Sequence, residues 1–169
     1  MTSTSALLAN GFGRIPRLIG SALADLNEEQ LATIPAPGAN SMAWLAWHTA
    51  RGQDAWVSEL RHVEQRWSAN GWFEKFDLPF GVDENGFGMS WADSMRVRST
   101  KTLLSDYLLA VSRETVAYVN TLSDLDLDDI VDATRTPVVS RGTQLMSILD
   151  DGLQHAGQAG YARGIITHA

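Results

Sequence analysis

The sequence predicts an all-α fold: an up-and-down four-helix bundle with one long aromatic-rich excursion between its second and third helices. Two observations carry this. Four segments place apolar residues at steps of three and four, the period of a helix lying on a core, and no stretch reads convincingly as a strand. Between these segments lie clusters of Pro, Gly and Asn that interrupt helices. With 169 residues, 44% of them hydrophobic and 20% charged, the chain has the length and apolar content for a single domain over residues 1–169.

The first helix is expected over residues 4–26, where Leu8, Phe12, Ile15, Leu18, Ile19, Ala22 and Leu26 keep the helical period. Pro16 lies inside it, so the helix either starts later than Thr4 or bends there. Ile34-Pro35-Ala36-Pro37-Gly38 is a break, and Asn40 or Ser41 can cap the next helix. This second helix is expected over residues 41–66, with Trp44, Trp47, His48, Arg51, Ala55 and Leu60 near one side. Residues 67–92 form the excursion, in which four Gly- or Pro-containing turns are set among aromatic side chains. That composition is too aromatic for a flexible linker, and long ordered loops in compact domains often build sites. The third helix is expected over residues 94–122, on the stripe Leu103, Leu104, Tyr107, Leu108, Val111, Thr115, Tyr118 and Leu122. Residues 123–132 are acidic and read as a solvated turn with a short helical piece. The fourth helix is expected over residues 141–168, turning Leu145, Ile148, Leu149, Gly152, Ala156, Ala159 and Ala162 inward.

Composition excludes several kinds of function. A net charge of −7 and a pI near 4.9 argue against nucleic acid, which requires a surplus of Lys and Arg on some face. No window approaches eighteen uninterrupted apolar residues, and the opening Met1-Thr2-Ser3-Thr4-Ser5 lacks the features of a signal peptide, so no membrane partner and a cytoplasmic location are expected. Cysteine is absent, so any thiol chemistry must use a thiol from elsewhere. All six tryptophans fall between Trp44 and Trp91, a clustering that suits a core seam or a pocket wall.

The chemistry-bearing residues begin in the fourth helix, where Asp151 and His155 stand four apart and share a face. Side chains from facing helices converge on metals in bundle cores, and His48 in the middle of the second helix is the best third ligand. Two imidazoles and one carboxylate leave positions open on a zinc, nickel, iron or manganese ion, as a catalytic site requires. The same spacing also serves as an ordinary helix-surface pair, and a lone inward histidine is often a hydrogen-bonded core residue. His62 and His168 are expected at solvent. Gln158, one turn beyond His155, is a candidate substrate or thiol contact, as are Arg51 beside His48 and Trp72 in the excursion. Arg163, further along the fourth helix, is a weaker one.

Three groups of residues resemble a known family: Trp44-Leu45-Ala46-Trp47-His48 followed by Gln53-Asp54, the turn Gly86-Phe87-Gly88, and Asp151-x-x-x-His155-Ala156-Gly157-Gln158. In order and spacing, over nearly the whole chain, they resemble the DinB-like four-helix-bundle superfamily, and within it the mycothiol S-transferase branch. Many members hold a metal with three histidines. Residue matching puts His48 and His155 on two of these positions and Asp151 on the third, a departure that shifts preference toward harder metals. The resemblance implies a divalent metal, zinc first with nickel, manganese or iron as alternatives, that lowers the pKa of a small-molecule thiol, mycothiol, for transfer to an electrophile. Two other readings stay open: a metal-dependent hydrolase or isomerase, and a non-catalytic stress-response bundle. The expected partners are the thiol and the electrophile, with a homodimer through an exposed helix face as one further expectation.

Overall fold

The computed structural model describes residues 3–168 and is mostly helical, with one small two-stranded sheet. Its four long helices are α1 (Thr4–Leu23), α3 (Met42–Arg61), α7 (Lys101–Val119) and α9 (Arg141–His168). α1 and α3 each pack against both α7 and α9, which encloses a continuous core. Phe12, Ile15 and Ile19 of α1, Trp47 of α3, Tyr107 of α7 and Leu145 of α9 are all almost wholly inaccessible to solvent.

α1 begins at Thr4 despite Pro16, because Ser3 caps it by accepting from the Ala6 amide. Proline has no N–H for the carbonyl four residues back, that of Phe12. The Ser112 hydroxyl of α7 donates to this carbonyl at 3.3 Å, so the proline's missing bond is made by a neighbouring helix. The helix ends at Leu23, three residues earlier than expected, and Asp25 takes a left-handed conformation in the turn after it. Leu18, expected inward, is 48% exposed, while Leu26 is buried from the turn.

A short helix that the apolar periodicity does not separate, α2 (Glu28–Ala32), comes next, with a reciprocal cap between Asn27 and Gln30. Ser41 then caps α3 through the Trp44 amide. α3 is buried on every side from Met42 to Asp54, since α7 and α9 flank it and the excursion covers its remaining face. It stops at Arg61 rather than residue 66, with His62 in a left-handed conformation.

The excursion is more regular than expected. It contains α4 (Arg66–Ala69), α5 (Trp72–Phe76) and α6 (Trp91–Ser94). Asp54 of α3 anchors the first of these: its carboxylate accepts from the Arg66 and Trp67 amides at 3.0 and 2.8 Å and from the Tyr107 hydroxyl at 2.8 Å. Those two amides open α4 and have no partner within the helix, so Asp54 acts as a cap supplied from another element. Trp67 is thereby held among Trp47, Phe73, Phe76 and Tyr107. α7 starts at Lys101 under a Thr100 cap rather than near residue 94, because the residues around Trp91 form their own short turn of helix.

The acidic stretch contains α8 (Asp124–Asp128), closed by a cap between Ser123 and Asp126. A correction to the strand-free expectation comes next: β1 (Ile130–Asp132) pairs antiparallel with β2 (Val139–Ser140), Ile130 opposite Ser140. Arg141 fastens this end by donating to the Leu60 and Asp126 carbonyls, the Tyr118 hydroxyl and the Asp129 carboxylate. α9 spans the residues expected of the fourth helix, and every residue assigned to its inner face is buried. No helix among the described residues is long and apolar enough to cross a membrane.

Candidate metal centre

His48 lies on the buried face of α3, and Asp151 and His155 lie one turn apart on α9. α9 comes close to its neighbours here because Gly152, directly after Asp151, faces Ile15 of α1; a Cβ on Gly152 would stand 2.6 Å from the Ile15 methyl. One ligand atom from each of His48, Asp151 and His155 falls within 4.8 Å of the others. Bonds of about 2.0–2.2 Å place donors no more than about 4.4 Å apart across an ion, so small side-chain rotations close the set.

Each imidazole is oriented by a partner on its other nitrogen. His48 Nδ1 is 2.6 Å from the Asn85 carbonyl oxygen. A carbonyl only accepts, so Nδ1 carries the hydrogen and the lone pair is on Nε2. The backbone reaches this position because Gly86 comes directly after at φ +91°, and a Cβ there would stand 2.6 Å from the same Nδ1. Trp44, one turn before His48, stacks on its ring at 4.5 Å and meets the His155 ring edge-on at 5.7 Å. Burial holds His48 below the usual imidazole range despite the opposing bond to Asn85, which keeps the ring neutral.

His155 is in a different electrostatic situation. Its Nδ1 donates to Gln158 Oε1 at 2.9 Å, and its Nε2 lies 3.4 Å from Asp151 Oδ1. Burial alone would lower its pKa, but the bonds to Asp151 and Gln158 outweigh burial and raise it. Both nitrogens face acceptors, so a cation belongs between Nε2 and Asp151, either a proton or a metal ion. The His155 hydrogen bond lowers the Asp151 carboxyl against the opposing effect of burial. Asp151 is the half-exposed member of the set and forms its solvent edge, at 52% side-chain exposure. Two imidazoles that can present Nε2, with a carboxylate beside them, fit a borderline divalent ion. Gln158 and the Asn85 carbonyl supply the outer hydrogen bonds such ligands ordinarily have.

Of the three expected substrate or thiol contacts, Gln158 sits at the centre but bonds to His155. Arg51 is fully buried, and its guanidinium donates to the Val82 and Glu84 carbonyls and to Gln65. Trp72 packs at a tilt against Tyr107, ring centroids 5.2 Å apart, with Lys75 over its own ring. Arg163 donates to the Ala22 and Ala24 carbonyls and closes the end of α1. His62 and His168 are exposed. Sequence reasoning passed over Asn85, whose backbone oxygen has no side-chain signature; the adjacent Asn-Gly turn was its only signal.

The fold and the site together define a class: mostly helical proteins with a candidate three-ligand metal site supplied by two of their long helices. A family profile described as the DinB superfamily matches residues 12–159, and the chain belongs to that superfamily. Among solved structures it is similar to the conserved protein of locus from Enterococcus faecalis, at 33% identity and a TM-score of 0.90 over 100% of both chains. No curated protein matches the sequence.

Proposed function

We propose that this protein is a metal-dependent thiol S-transferase, in which His48, Asp151 and His155 hold a divalent ion, zinc first, and mycothiol or an analogous small thiol is transferred to an electrophilic small molecule. The observation that carries the reading is the convergence of three ligand atoms from α3 and α9 on one half-open point. The absence of cysteine supports it, because the nucleophilic sulfur must then arrive with a cosubstrate. On the same reading the four long helices form an up-and-down bundle with the site between the second and the last.

The ion, when bound, supplies a Lewis-acidic centre that lowers the pKa of a nearby thiol. The chain's own residues prepare that centre. Asn85 fixes the His48 tautomer, burial keeps the ring neutral, and Gln158 orients His155 so that it gives up one proton on loading. In the transfer the S–H bond breaks and its proton passes to solvent, a sulfur–carbon bond forms, and the leaving group departs with the electron pair of its bond.

The test is conjugation of a haloalkyl bimane with mycothiol, measured with the metal-stripped protein and again after adding zinc, nickel or manganese. Metal-stimulated conjugation that is lost in His155→Ala is the expected result. Metal binding without thiol conjugation, but with thiol-independent hydrolysis of esters or amides, would replace this reading with a hydrolase.

A further inference from the structure

Arg51 lies three residues after His48 on α3 and is inaccessible to solvent. Burying a cation costs several kcal/mol unless its charge and its donors are matched. The nearest carboxylate, Asp54, is 4.0 Å away and already accepts from two amides and two hydroxyls. The guanidinium is directed instead at the excursion. Nε donates to the Glu84 carbonyl at 3.1 Å, Nη2 to the Val82 carbonyl at 3.3 Å and Nη1 to Gln65 at 2.8 Å, while the cation rests 4.7 Å over the Trp67 ring.

Those two carbonyls lead directly into the residue that touches a metal ligand. The chain between Gly81 and Ser90 has turns but no helix or strand, so its position depends on the contacts it makes. After Glu84 comes Asn85, whose carbonyl binds His48 Nδ1, and then Gly86, whose backbone lies flush against the ring. Only a planar fork with fixed donor directions reaches two carbonyls two residues apart from a single buried side chain. A neutral side chain of similar volume would fill the space without holding the segment.

We propose that Arg51 is a positioning residue for the metal centre: it fixes residues 82–86 so that the Asn85 carbonyl locks His48 in the tautomer with Nε2 free. The proposal rests on the metal-site reading for its purpose, but its structural content is a property of the metal-free chain. Without the guanidinium, the Asn85 carbonyl moves off Nδ1 and the hydrogen redistributes between the two ring nitrogens. The ion then competes with an Nε2–H, and its affinity falls.

The experiment uses the full chain in two states. In the metal-free protein at neutral pH, long-range proton–nitrogen correlation spectra of the imidazoles report which nitrogen of His48 carries the hydrogen. In zinc titrations the same variants report affinity. The variants are Arg51→Met, which keeps volume without donors, and Arg51→Lys, which keeps the charge and cannot span both carbonyls. Gly86→Ala displaces the segment with Arg51 intact.

Wild type is expected to show Nδ1–H alone. Both Arg51 variants are expected to show a mixture with Nε2–H and zinc affinity lowered about 10- to 100-fold, as for other lost outer-shell partners. A folded Arg51→Lys that keeps Nδ1–H alone and wild-type zinc affinity overturns the proposal, even if Arg51→Met fails to fold; a tautomer change in Gly86→Ala alone would then assign the control to the turn itself. Wild type that binds no zinc yet shows the tautomer change in the variants removes the proposed function and leaves the positioning role standing.

Discussion

Replacing Asp54 by Ala strips an acceptor from four donors at once: the Arg66 and Trp67 amides and the Ser58 and Tyr107 hydroxyls. Each orphaned donor costs about 1–3 kcal/mol, so urea denaturation of Asp54→Ala is expected to show a loss of about 3 kcal/mol or more. The candidate metal ligands carry a prediction of a different kind. Because Asp151 and Gln158 raise the His155 pKa, a proton competes with the ion, and zinc affinity measured by calorimetry should fall as pH drops through that raised value. Asp151→Asn removes one cause of the shift, so the fall should begin at lower pH while affinity is weaker throughout. His48, Asp151 and His155 were legible in the sequence, because an i, i+4 pair and an inward histidine are statements about side chains on helices. The burial of Arg51 was not: a buried guanidinium and a solvated one have the same sequence, and two of its three partners here are backbone carbonyls some thirty residues away.

Among the elements, α9 was the most legible, since its small and apolar residues keep one period over about five turns of helix, from Leu145 to Ala162. The short helices were the least. α2 and α4 are too brief to show a period; α2 is signalled only by its Asn27–Gln30 cap, and α4 by a carboxylate twelve residues upstream. The two-stranded hairpin is likewise too short to alternate. The pairing of α1 with α7 offers a test at this scale. Ser112→Ala leaves the Phe12 carbonyl without its donor and should cost about 1–3 kcal/mol in denaturant titrations. In a Pro16→Ala background the helix regains its own N–H, and the same Ser112 substitution should cost less than half as much. Equal costs in the two backgrounds would mean that Ser112 acts by packing alone.

At the scale of the molecule, Glu114 of α7 ties the last turn of α3 to α4 through Arg61 and Arg66. The bonds to Arg66 and then Arg61 hold its carboxyl below the usual glutamate range, against a smaller opposing effect of burial. A lowered carboxylate pKa stabilises the folded chain above the unfolded value, about 4.3, and that stability is lost as pH falls through the folded value. Glu114→Gln should therefore melt at a lower temperature than wild type at neutral pH, and the gap should close in acid. The arrangement of the candidate metal ligands bears on the order of events in a cell. His48 and Asp151 are separated by about a hundred residues of chain, a long loop that folding must close before the donors meet. A ribosome therefore releases His48 long before its partners exist, and the early chain holds one of the three donors. Only the docking of α9 brings the three donors together, so on the proposed reading metal acquisition would be the last step of maturation, and a cell starved of the ion would accumulate finished protein awaiting its metal.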